Sequence, residues 1–231
     1  AVAGAVEAGA EGASVALGNP YGSNFEGPFK LQQAMDLLDL MMGKWKAVGI
    51  PVTKVSFLDA MGWNMPHTTR TMITAIRDKY PDIQTYHMHL HNTRGATIAS
   101  HYEALMLGAT DFDTSLGGMG GCPYCGNGRA AGHVPTEDLV HMCHEMGIET
   151  GYNLDKVIEA ASIAEEVVGH PLWGHVSKAG ASPRGDALYP KDMAFVETLH
   201  QASHFRNGTE VYEGQTSPGR DGDALTRPSA A

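Results

Sequence analysis

Glycine and proline punctuation constrains this chain's fold more than any single motif does. Ser14-Val15-Ala16-Leu17 is a short apolar run halted by Gly18-Asn19-Pro20, the pattern of a strand entering a loop. Pro28 then opens a long helical pattern that Gly49 and Pro51 end, with Leu31, Met35, Leu38, Met41 and Trp45 on one stripe. That stripe reads as core. Val52 to Leu58 is the next strand, closing in Asp59, and a helix from about Thr68 to Lys79 turns Met72, Ile73 and Ile76 inward. Pro81 breaks it, and a histidine-rich strand follows. Gly95 opens a helix bearing Ile98, Leu105 and Met106, and Phe112 to Leu116 reads as a further strand. Helices from Pro135 and over Leu154 to Val168 come next, and residues 1–13 read as the end of another helix. Strand–helix alternation of this kind, about four units long, predicts an α/β fold with a parallel sheet. Four units are half of an eight-unit barrel and also near the minimum for an open sheet, so alternation alone does not choose between them.

The remaining composition removes several classes. A net charge of −10 with no runs of Lys or Arg argues against a nucleic-acid groove. No apolar run reaches membrane-spanning length and no basic-then-apolar leader opens the sequence, so no membrane partner is expected. Three cysteines are too few for a disulfide framework, which makes a reducing, cytoplasmic setting the expectation. Twelve histidines keep metal and acid–base chemistry open.

Polar residues gather where each strand ends: Asn19, Asp59, the pair His89/His91, and Ser115 with its glycines. α/β folds place their sites there. In Tyr86-His87-Met88-His89-Leu90-His91, period-2 alternation points all three histidines to one face. His89 and His91 lie about 7 Å apart along a strand, close enough to converge on one ion, whereas His87 and His91 are about 13 Å apart. His89 and His91 therefore read as a ligand pair and His87 as a supporting or core residue. Three structural histidines remain the plainer alternative.

The glycine-rich stretch Gly120-Gly121-Cys122-Pro123-Tyr124-Cys125 to His133 contains a Cys-x-x-Cys pair. A redox pair needs its first cysteine at a helix N-terminus, and no helical pattern starts before Pro135. A mobile loop delivering an acid group fits better. Beside the histidine strand, the stretch is recognisable. From about Ser14 to Ala160 the chain resembles the 3-hydroxy-3-methylglutaryl-CoA lyase family of the DRE-TIM metallolyases. The resemblance rests on Ser-Val-Ala-Leu-Gly-Asn-Pro-Tyr (14–21), Val-Ser-Phe-Leu-Asp (55–59) and His-Leu-His-Asn-Thr-Arg-Gly (89–95). It continues in Gly-Gly-Met-Gly-Gly-Cys-Pro-Tyr (117–124), Pro-Thr-Glu-Asp-Leu-Val (135–140) and Gly-Ile-Glu-Thr-Gly-Tyr-Asn-Leu (147–154).

That resemblance implies a (β/α)8 TIM barrel with a divalent cation, Mg2+ or Mn2+, at its C-terminal mouth. It implies His89 and His91 as metal ligands and places Cys122, Asp59 and His89 in catalysis, with Asp59 a candidate proton relay. His133 falls where the lyases carry a metal-binding asparagine, and the Cys122–His133 loop is two residues longer than theirs. The implied reaction is carbon–carbon cleavage of a 3-hydroxy-3-methylglutaryl-CoA-like acyl-CoA thioester to a ketoacid and acetyl-CoA, in a homodimer. Relatives running Claisen synthase or aldolase chemistry share His-x-His but not the cysteine loop. The family's first-strand Arg-Asp pair has no counterpart before Ser14, so the chain is expected to hold barrel strands five to eight. On that expectation residues 1–168 form the half-barrel, 169–214 an extension with a helical stretch near Lys191–Phe205, and 215–231 a disordered tail. A half-barrel that binds metal without catalysis is the non-enzymatic alternative. It would leave inward faces, with Val55, Phe57, Met88 and Leu90 as candidates, short of packing partners.

Overall fold

Parallel neighbours in a sheet need a crossover long enough to carry the chain back, and the glycine- and proline-bounded helices supply it. The computed structural model describes residues 2–125 and 129–188. Helix α1 (Val2–Glu7) precedes strand β1 (Ala13–Gly18), and a hairpin of β2 (Gly22–Ser23) and β3 (Gly27–Pro28) leads into α2 (Leu31–Lys46). Then come β4 (Val52–Asp59), α3 (Pro66–Lys79), β5 (Thr85–Leu90), α4 (Thr97–Met106) and β6 (Asp111–Phe112). Helices α5 (Thr136–Glu145), α6 (Leu154–Val168) and α7 (Val176–Ala179) complete the order. Helix α3 begins at Pro66, ahead of the expected Thr68, because a first-turn N–H needs no partner inside the helix and proline lacks one.

The main sheet runs β1-β4-β5-β6, every neighbour parallel. Strand order follows chain order without the reversal that defines a doubly wound sheet. The helices also lie on one face. Val15, Leu17, Val55, Phe57, Met88 and Leu90 pack with Met35 and Leu38 of α2, Met72, Ile73 and Ile76 of α3, and Ala104 of α4. Chain-order strands with helices on one side are successive units of a (β/α)8 barrel, which decides the question left open by the alternation. Behind β6, Leu139 and Cys143 of α5 join Val134 in a second cluster, against which Ile98, Leu105 and Phe112 pack.

Two expectations change. Val55, Phe57, Met88 and Leu90 are completely buried, and they face the helix layer rather than the barrel interior. At about 1.5–3 kcal/mol for each buried large apolar side chain, they anchor the sheet to its helices. The other face carries Ser14 and Ala16, both exposed, with Ser56, Leu58, His87 and His89. The last strand is also shorter than the run to Leu116. After Asp113 the chain leaves the sheet: the Ser115 N–H donates to the Val134 carbonyl (3.1 Å), and Leu116–Gly118 form a 3-10 turn.

Residues 2–181 form one compact unit, and a separate unit begins at Ser182. Residues 169–181 belong with the first. The second has one described element, a 3-10 turn at Gly185–Ala187. The helical stretch expected near Lys191–Phe205 and the tail from 215 lie outside the described residues. Among the described residues no helix is long and apolar enough to cross a membrane.

Candidate metal centre

The strand ends of one edge bring the site together. His91 follows β5 directly, its N–H donating to the Asp59 carbonyl (3.0 Å). The returning glycine-rich loop then pairs with it: His91 and His133 form an antiparallel bridge, and Asn92 N–H donates to the Gly132 carbonyl (2.8 Å). Glycine is required at 132. A Cβ there would lie 2.1 Å from the Met119 carbonyl oxygen and 2.3 Å from that of Gly118, so any side chain would force the two limbs of the loop apart.

This pairing seats His133 against both strand histidines. Its ring centroid lies 4.3 Å from His89 and 4.2 Å from His91, which are 5.4 Å from each other. One ligand atom from each of the three lies within 4.8 Å of the others. Two nitrogens bound to one ion at about 2.1 Å can be at most about 4.2 Å apart, so small ring rotations close the set.

In all three rings Nδ1 is engaged. His91 Nδ1 meets the Ala131 carbonyl (2.8 Å), His133 Nδ1 the Leu90 carbonyl (3.1 Å), and His89 Nδ1 the Asp113 carboxylate (2.6 Å). Carbonyl and carboxylate oxygens only accept, so each Nδ1 carries a proton, and in the neutral form of each ring Nε2 keeps the lone pair. Burial, then the neighbouring His91 and His89, push His133 down to about 4. Burial also lowers His91 against the opposing pull of the Ala131 carbonyl. Both rings are neutral at pH 7, the form that ligates a metal. The donor set fits a divalent transition ion.

The other sequence-predicted residues divide. Asp59 is fully buried, and its Oδ2 accepts from the backbone N–H (2.6 Å) and Nδ2 (2.8 Å) of Asn64. It pairs in register with Leu90, whereas Leu58 pairs with His89, so strand alternation turns Asp59 towards the helix layer. The expected proton relay therefore meets a carboxylate behind the sheet, whose charge reaches His91 only through space. Cys122 is half-buried and precedes a 3-10 turn at Pro123–Cys125, not an α-helix. Cys125 is buried, its carbonyl oxygen (3.2 Å) and Sγ (3.5 Å) both accepting from Asn24 Nδ2.

Asp113 was not among the residues singled out from the sequence. Its signal was present: an acid one step past β6, on the strand that pairs with the histidine strand. Residues 169–181, too, bear on the site. Trp173 N–H donates to the Gly117 carbonyl (2.8 Å), and Trp173, Asn92, Arg129 and His133 line a cleft of about 460 Å³.

Residues 6–164 match the model of the HMGL-like family. The chain is 34% identical over 185 residues to the (R)-citramalyl-CoA lyase of Chloroflexus aurantiacus, covering 80% of this chain and 54% of that protein. It is 33% identical over 156 residues to a hydroxymethylglutaryl-CoA lyase of Bacillus subtilis, covering 68% and 49%. Among solved structures, an Acinetobacter baumannii HMG-CoA lyase in complex with coenzyme A and 3-methylmalate superposes with a TM-score of 0.63 at 30% identity, over 77% of this chain and 54% of that one. The chain thus spans about half the length of the curated relatives it matches. With most of its length matched by that family model, the chain belongs to the HMGL-like family.

Proposed function

We propose that this chain carries the metal-binding half of the active site of a lyase. The lyase cleaves a carbon–carbon bond in a 3-hydroxy-3-methylglutaryl-CoA-like thioester, yielding a ketoacid and acetyl-CoA. The convergence of His89, His91 and His133 with three free Nε2 atoms carries the reading, and the relatives' lyase activities support it. His89, His91 and His133 would hold the ion; an all-imidazole set suits Mn2+ or a softer ion better than Mg2+. When bound, the ion supplies Lewis acidity towards the substrate's hydroxyl and carboxylate oxygens. A general base takes the hydroxyl proton as the carbon–carbon bond breaks, and the bond's electron pair passes to the thioester as an enolate. Cys122, half-buried on its glycine-rich loop, donates the proton that converts the enolate to acetyl-CoA. Asp59 supports the site from behind the strand and takes no proton in this scheme. A homodimer, as the resemblance implies, belongs to the same reading.

The test is acetyl-CoA release from 3-hydroxy-3-methylglutaryl-CoA by the full-length protein loaded with Mn2+. Release that disappears in His91→Ala and His133→Ala is the expected result. Release that survives both substitutions, or no release with any divalent ion, overturns the reading.

A further inference from the structure

Two imidazoles on the polar face of the sheet share one carboxylate. His89 Nδ1 lies 2.6 Å from Asp113 Oδ2, and His87 Nε2 lies 3.1 Å from Asp113 Oδ1. His87 is fixed from its other side by Ser56, whose Oγ is 3.0 Å from His87 Nδ1. The donors and acceptors permit one arrangement with both rings neutral. Ser56 donates to His87 Nδ1, His87 donates from Nε2 to Asp113, and His89 donates from Nδ1 to the second carboxylate oxygen.

The three ligand rings differ in what fixes them. His91 and His133 are held by main-chain carbonyls, from Ala131 and Leu90, which no substitution at those positions removes. His89 alone depends on a side chain. A free neutral imidazole can carry its proton on either nitrogen, and the neighbour decides which. Without an acceptor at Nδ1, His89 can place its proton on Nε2, the atom that must face the ion.

We infer that Asp113 is a positioning residue that sets the tautomer and aim of His89, and that His87, itself braced by Ser56, holds Asp113 in place to do so. This rests on the reading of His89 as a metal ligand. Asp113 touches neither ion nor substrate in this role.

The experiment reads the tautomer directly. Long-range 1H–15N correlation spectra of the metal-free protein assign which nitrogen of each histidine is protonated. His89 is expected as the Nδ1–H form in the unaltered protein and largely as Nε2–H in Asp113→Leu. Metal affinity, measured with Co2+ against a chelator, is expected to fall 10–100-fold in that variant, the usual effect of removing a partner behind a ligand. His87→Leu removes one of the two donors and is expected to lower affinity less than Asp113→Leu. Asp113→Asn preserves the shape and covers the case in which the leucine variant does not fold. Its amide offers an acceptor to one ring and a donor to the other, so either His89 or His87 must change tautomer. His89 remaining Nδ1–H in Asp113→Leu, or neither ring changing in Asp113→Asn, overturns the inference. Failure of the unaltered protein to bind Co2+ overturns the metal reading, while the tautomer spectra still decide the role of Asp113.

Discussion

Gly132→Ala is the smallest change that should dismantle the candidate metal centre without touching any of its three histidines. The added Cβ would sit 2.1 Å and 2.3 Å from two carbonyl oxygens, where real Cβ contacts begin near 3.0 Å. Both obstructing atoms are backbone, so no rotamer change relieves them, and one limb of the loop must move by about 1 Å. The limb carrying residue 132 is tied to β5 by the Asn92–Gly132 hydrogen bond and the His91–His133 bridge. Its displacement therefore carries His133 with it, and ligand distances tolerate only about 0.2 Å. Overpacking of this kind costs about 1–3 kcal/mol, and each kcal/mol lowers Tm by about 2–4 °C for a chain of this size. Circular-dichroism melting with and without Co2+ separates the two effects. We expect a lower Tm without metal and a smaller rise on adding it, reflecting at least tenfold weaker binding. A variant that melts like the unaltered protein and binds Co2+ equally would refute the reasoning.

Calorimetric titration should rank Co2+ and Zn2+ well above Mg2+, because imidazole suits the softer ions; equal affinity for Mg2+ would mean that oxygen ligands dominate the site. In steady-state assays of the full-length protein, Cys122→Ser should lower kcat by about two to four orders of magnitude, the worth of general acid–base help. Cys125→Ser keeps a hydrogen-bond acceptor for Asn24 and should change kcat only a few-fold; a larger loss at Cys125 would favour a redox pair. His101 is fully buried with neither ring nitrogen hydrogen-bonded, and burial pushes it from 6.5 to about 3. Between those values the unfolded chain binds the extra proton, so stability is lost as pH falls below about 6.5. Urea midpoints should show the unaltered protein losing roughly 1–2 kcal/mol relative to His101→Leu between pH 7 and 5, and parallel pH curves would contradict this assignment.

The sequence was most readable where local periodicity carries the information. The stripe of α2 is buried at Met35 and Leu38 and half-buried at Met41 and Trp45, and His89 and His91 share a face because strand alternation leaves no choice. Alternation does not say which face meets the helices. That is why Val55 and Phe57 were assigned to the wrong layer, and why Asp59, so close in sequence to a strand end, sits behind the histidines. The missing quantity was register: Leu58, not Asp59, pairs with His89. His133 could be placed only through resemblance, since a bridge to His91 across the intervening loop has no local pattern. Asp113 was overlooked because its partners lie on a neighbouring strand, and pairing across a parallel sheet cannot be read from one segment. On α4 the pattern also understated how much polarity the core accepts: Ser100, His101 and Glu103 are buried while Met106 is exposed.

The three ligand rings and the three acceptors that orient them all lie between His87 and His133. The centre is thus encoded in one short reading-frame interval, running from β5 through α4 and β6 into the loop beyond. A duplication or recombination event cutting outside that interval would transmit the ligand geometry whole. A single exchange within it, as at position 133, would retune the ion without redesigning the remainder of the sheet. In lineage terms, the surrounding strand ends can diversify around a heritable histidine cassette.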